Sequence, residues 1–128
     1  MDAGAVAGGE GEVRKRESRT SLIDCSRTNN LVNPTHLKSA VASLDAWKSV
    51  VLTRVSGANI KVMRMDETPY PDESHDYPEG LLVVDGRLNL TIGSESITVR
   101  AGEIYVVPAG VAHAVAPGST GTLVIFDA

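Results

Sequence analysis

With one cysteine in 128 residues, Cys25, the chain cannot close an internal disulfide, which fits a reducing compartment and sets the expectation of a cytoplasmic protein. No apolar run approaches the roughly 18–20 residues of a membrane helix, and the first residues lack the apolar core of a secretory signal. Neither membrane insertion nor export is expected. Aromatic residues are scarce: Trp47, Tyr70, Tyr77, Tyr105 and Phe126 are all there are. Basic residues are missing where acids are densest, since Asp66, Glu67, Asp72, Glu73, Asp76, Glu79 and Asp85 follow one another with no Lys or Arg between them. A chain of net charge −4 with no basic stripe is a poor partner for nucleic acid. A cation suits it better. The shortage of thiols also excludes a cysteine-type structural zinc or a copper–thiolate centre.

What is present falls into three stretches. Residues 1–20 hold four acids, four bases and four glycines, with Val6 and Val13 as the only large aliphatics. Such a segment buries too little apolar surface to offset its ordering entropy, so a disordered tail is expected. Residues 21–46 form an arm. In it Asn33-Pro34 has the order of a helix cap and first helical residue, and Leu37, Val41 and Leu44 recur at helical spacing, predicting a short helix from Pro34 to Ala46 with His36 facing solvent. Residues 47–128 change period. Ser49–Val55 and Asn59–Met65, separated by Ser56-Gly57-Ala58, read as a hairpin. Leu81–Val84, a turn at Asp85-Gly86, Arg87–Ile92, Ser96–Arg100, Ile104–Val107, a short piece around His113 and Thr122–Phe126 complete seven or eight short strands. That spacing predicts an all-β, antiparallel sandwich or barrel.

Two stretches carry chemistry. In Glu73-x-His75-x-x-x-Glu79 the first two residues leave the same face of an extended strand, and a turn at Asp76-Tyr77-Pro78 returns Glu79 to it. In the second stretch Pro108-Ala109-Gly110 precedes His113, early in the next strand. If the two are neighbours, one face presents two imidazoles and one or two carboxylates, a metal site with open positions.

The pair of stretches resembles the two motifs of the cupin superfamily, G-x5-H-x-H-x3,4-E-x6-G and G-x5-P-x-G-x2-H-x3-N. His75, Glu79 and Gly86 stand at the spacing of the first, and Gly102, Pro108, Gly110 and His113 at that of the second. The resemblance covers about residues 30–128 and implies a small single-domain cupin with a jelly-roll β-barrel. It further implies one divalent metal ion (Fe, Mn, Ni, Co, Zn or Cu) held by His75, Glu79 and His113, and a homodimer. Gly86, Gly102 and Gly110 are read as backbone at barrel corners.

Departures from the pattern matter as much. Glu73 replaces the first histidine, Pro117 replaces the asparagine, and the opening glycine is absent. Three readings of Glu73 stay open: fourth metal ligand, general base beside a three-ligand site, or solvated loop charge. A barrel that has lost its metal is open too. Tyr70, Tyr77 and Tyr105 lie in or beside the motifs, and Tyr77 is a candidate catalytic residue with Glu73. Arg64 either reaches an anionic substrate or turns outward, and Leu88, Leu90, Ile92, Val99 and Val107 are candidate walls. The functional expectation is a metal-dependent enzyme acting on a small organic molecule, of dioxygenase, isomerase, cyclase or lyase type. The other reading is a non-catalytic small-molecule-binding or sensor protein.

Overall fold

The computed structural model describes residues 33–128. The expected tail, Cys25 and the first part of the arm lie outside the described residues. Among the described residues no helix is long and apolar enough to cross a membrane. One short helix, α1 (Leu37–Val41), precedes eight strands: β1 (Val50–Val55), β2 (Ala58–Met65), β3 (Tyr70–Glu73), β4 (Glu79–Ile92), β5 (Glu95–Arg100), β6 (Ile104–Val107), β7 (His113–Val115) and β8 (Thr120–Asp127). All pairings are antiparallel, in the order β1-β2-β8-β4-β7-β3, with β5 and β6 also on β4. The antiparallel sheet that the sequence pattern predicts curls on itself as the jelly roll that the resemblance implies.

The helix is shorter than its sequence pattern suggests. His36, exposed, is its N-cap in place of Asn33, with Nδ1 accepting from the Ser39 amide at 3.3 Å. Beyond Val41 the chain tightens into turns, Ala42 N–H to Ser39 O and Leu44 N–H to Val41 O, because it must deliver Trp47 to the sheet. Trp47 adopts a left-handed backbone (φ 67°) and donates its amide to the Arg64 carbonyl at 2.8 Å. The Arg64 guanidinium reaches back to the Leu44 carbonyl through Nε and Nη2, at 3.0 and 2.8 Å.

Alternation on β2 and β8 sorts the apolar residues onto two faces. Val62 and Val124 point outward and are sealed by Val41 of α1. The inner face carries Met65, Leu81, Val83, Leu88, Leu90, Leu123 and Ile125. Leu88 and Leu90 are 1% and 2% exposed, so each contributes about 2 kcal/mol by leaving water. Val99 and Val107, expected as cavity walls, lie buried in this core.

The Asp85-Gly86 turn is not formed. Asp-Gly is a hairpin signal by local chemistry, yet β4 runs through it unbroken for 14 residues, with a register shift between Val83 and Asp85. Gly86 (φ 78°) faces Gly121 (φ 102°) across the β4–β8 ladder. A Cβ on Gly86 would meet the Thr120 carbonyl, and one on Gly121 the Asp85 carbonyl. Two strands cross there at a distance only glycine permits. The bulge lets the first half of β4 pair with β6 and the second half with β5. Real hairpin turns occur at Ser56-Gly57, where both residues have positive φ as a primed two-residue turn requires, and at Gly93-Ser94.

Candidate metal centre

The inner face opens into a cavity of about 210 Å³. Glu73, His75, Glu79 and His113 all line it, together with Tyr77 and Tyr70. Each arrives by a different route. Glu73 ends β3 and is paired in register with His113, which opens β7. Glu79 opens β4. His75 is not on a strand as expected: β3 stops at Glu73, and His75 sits in the connecting loop. Its carbonyl accepts from the Gly110 amide at 2.6 Å, and its ring stacks on Tyr77, with centroids 5.0 Å apart and planes at 6°. The loop turn thus does what strand alternation was expected to do.

One ligand atom each from Glu73, His75 and His113 lies within 4.8 Å of the others. Glu79 flanks this trio: its Oε1 is 3.2 Å from His113 Nε2 and its Oε2 3.9 Å from His75 Nε2. His75 Nε2 is also 3.7 Å from Glu73 Oε1. Donors about 2.0–2.2 Å from one ion stand roughly 3–3.6 Å apart at octahedral or tetrahedral angles, so small side-chain rotations would close the set on an ion. His113 and Glu79 are buried, at 4% and 9% exposure.

The His113 ring makes the stronger argument. Nδ1 lies 3.1 Å from the Val111 carbonyl, which can only accept, so Nδ1 carries the proton and Nε2 presents a lone pair. That lone pair faces a carboxylate oxygen at 3.2 Å inside a buried site. Two acceptors so placed need a cation between them, a proton or a metal ion. The turn that supplies Val111 also supplies the Gly110 amide to the His75 carbonyl, so one loop orients the His113 ring and fixes the backbone that carries His75.

Arg64 is turned outward to Leu44 and does not line the cavity. Of the expected walls Leu88 and Leu90 line it, while Ile92, Val99 and Val107 do not; nor does Tyr105, expected beside the site. Sequence reading missed Trp47, Lys61, Met63 and Asp127, all of which line it. Period-two alternation puts Lys61 and Met63 on one face of β2, but it cannot say which face is inner.

At the mouth, Trp47 packs on Tyr70 at 5.9 Å and donates its indole N–H to Asp66 Oδ1 at 3.0 Å. The Thr68 hydroxyl, the Thr68 amide and then the Trp47 indole, all donating to that oxygen, hold the Asp66 carboxyl below the ordinary aspartate value. A carboxyl lowered in the folded state stabilises the fold at higher pH and stops doing so as pH falls through its folded value. Trp47 is the sole tryptophan, so its fluorescence reads this contact. Emission is expected to hold from neutrality to about pH 4 and to shift below it toward that of Asp66→Ala. A shift already complete above the ordinary aspartate value, about pH 4, would contradict this.

The cupin domain family matches residues 62–128, more than half of the chain. No protein of curated function matches it. Among solved structures, it is similar to a cupin-2 domain protein of Shewanella frigidimarina (26% identity over 64% of this chain and 80% of that one, TM-score 0.59). A protein of Neisseria meningitidis (24%, covering 74% and 98%, TM-score 0.64) is similar in fold. So is a cupin superfamily protein of Desulfitobacterium hafniense (18%, 76% and 91%, TM-score 0.63).

Proposed function

The chain belongs to the cupin domain family, and from that footing we propose that its cavity binds one divalent metal ion and acts on a small organic molecule as an enzyme. The observation that carries this reading is His113 Nε2 set 3.2 Å from Glu79 Oε1 in a buried site, with Glu73 and His75 beside them. Glu73, His75 and His113 would hold the ion, with Glu79 as fourth donor. Two imidazoles and two carboxylates match a borderline ion such as iron(II), manganese, nickel, cobalt, zinc or copper(II).

A bound ion would supply Lewis acidity toward a substrate oxygen and so stabilise negative charge developing there. The protein's own contributions can be assigned to residues. Tyr77 stacks on His75 and keeps that ring in plane. Val111 fixes the tautomer of His113. Glu73, the exposed member, would take a proton from substrate and pass it to water. Leu81, Leu88, Leu90 and Leu123 exclude water from the other wall. The cavity is below the roughly 300–1,000 Å³ of sites for drug-sized ligands, which limits the substrate to a small molecule. Isomerisation, cyclisation, elimination and oxygenation all fit a substrate bound through oxygen atoms.

Elemental analysis of protein purified from metal-supplemented medium tests the proposal. About one equivalent of a transition metal or zinc per chain is expected, as a set of four protein donors retains its ion. Folded protein that carries none, and takes up none on addition of iron(II), manganese or zinc, would refute it.

A further inference from the structure

Lys61 and Asp127 line the same cavity from β2 and β8 and form an ion pair, Nζ to Oδ2 at 2.7 Å. The other oxygen of Asp127 accepts from Asn59 Nδ2 at 3.1 Å, and its side chain is only 3% exposed. Asp127 is therefore fully engaged. Lys61 is not: an ammonium has three protons, and among the described residues Asp127 is its one partner. Its side chain keeps 24% exposure, directed at the cavity.

Register fixes where this pair stands relative to the metal ligands. Gly80 pairs with Phe126, so the next residues along, Glu79 and Asp127, face each other across β4 and β8. Lys61 pairs with Ile125, and Ile125 with Leu81, so two strand spacings separate the backbone of Lys61 from β4. At 4.7–4.9 Å each, that is about 10 Å. The cavity thus takes its metal ligands from β3, β4 and β7 and the loop between β3 and β4, and an ammonium from β2, with Asp127 between Lys61 and Glu79 and Leu81 and Ile125 as floor beside them. Charge agrees. Glu73, Glu79 and Asp127 against Lys61 leave two negative charges, which one divalent ion cancels, and a cavity so neutralised suits a substrate of low charge.

Resting on the metal-binding reading above, we propose that Lys61 is a second anchor: held in place by Asp127, its ammonium donates a hydrogen bond to an oxygen of the substrate remote from the oxygen at the metal end. The substrate class is then a small aliphatic or cyclic compound with two separated oxygen functions, such as an oxo acid or hydroxy ketone. A purely structural ion pair could link β2 to β8 from either face. Apolar residues would serve stability as well, whereas only the inner face offers the ammonium to a ligand.

The test compares 3-oxobutanoate, 4-oxopentanoate and 5-oxohexanoate with the parent carboxylates that lack the ketone. Each is titrated calorimetrically into zinc-loaded protein whose metal content is measured in the same sample. One chain length is expected to bind about tenfold tighter than its parent, as a charge-assisted hydrogen bond provides. In Lys61→Met/Asp127→Leu, which removes both charges together, that preference is expected to vanish while zinc is retained. Should that variant not fold, wild-type protein with ¹³Cε-labelled lysine decides. The resonance assigned to Lys61 by Lys61→Arg is expected to move with the favoured oxo acid and not with its parent. A preference that survives in the double variant, no preference at any length, or a Lys61 resonance indifferent to the ketone would overturn the anchor and leave the metal site standing. Wild-type protein that takes no zinc or other divalent ion overturns both.

Discussion

His113→Ala is expected to leave the barrel folded and to release its ion, from about one equivalent per chain to under a tenth, with affinity falling by more than the roughly 10–100-fold that losing an outer partner costs. His113 is the candidate ligand whose ring is oriented by the fold itself, through Val111. In the metal-free form its removal also takes away the nitrogen that shares a proton with the buried Glu79 oxygen across 3.2 Å. Part of any loss of stability in the variant will therefore come from an unsatisfied carboxylate, on the order of 1–3 kcal/mol. His113→Gln separates the two effects, because the amide can donate to Glu79 while offering no imidazole. That variant is expected to match wild type more closely in thermal unfolding of the metal-free form and to be as poor in metal content. Stoichiometric metal in either variant would remove His113 from the ligand set.

The largest effect on stability is expected from Gly86→Ala, with Gly121→Ala equivalent to it. Each glycine has a positive φ and each would drive a Cβ into a facing backbone carbonyl. Strained backbone alone costs about 1–3 kcal/mol. A clash with main chain in a paired ladder cannot relax by side-chain rotation, so about 4 kcal/mol or more is expected, a size seldom reached by one substitution. Domains have only about 5–15 kcal/mol in total, and much of the chain would accumulate unfolded. Gly57→Ala is the control: its φ is 83°, but a Cβ there meets nothing within 4 Å. Urea unfolding should separate the two by about 2 kcal/mol or more. Equal midpoints would mean that the β4–β8 crossing is looser than its geometry indicates.

How much of this was legible in sequence depends on the range over which each signal acts. Strand alternation and the Ser56-Gly57 turn are local, and the strands appear close to where the pattern puts them. The spacing His75, Glu79, Gly86 and Gly102, Pro108, Gly110, His113 pointed to one shared face, and the four candidate ligands do meet. The reason expected for Glu73 and His75 was incomplete, since the loop and its bond to Gly110, not a strand, bring His75 in. Asp85-Gly86 misled because a bulge and a hairpin both ask for a residue with positive φ, and only the distant Gly121 distinguishes them. The helix was drawn too long because apolar spacing does not record where the chain must leave to place Trp47. Lys61 and Asp127 carry no local mark of their role. They stand 66 positions apart, and only the β2–β8 register joins them.

That register has a consequence for the order in which the protein can assemble. β4 and β5 are joined by a two-residue turn and can pair on local contacts. The ligands cannot: Glu79 and His113 are 34 positions apart and come together only when β4 has met β6 and the chain beyond it has returned as β7. The wall opposite them waits for β8, the last strand, to enter between β2 and β4. The cavity is thus a property of the finished barrel and of no partly paired chain. An ion held there weights the native state alone, so it preserves a fold that the sequence must first reach without its help.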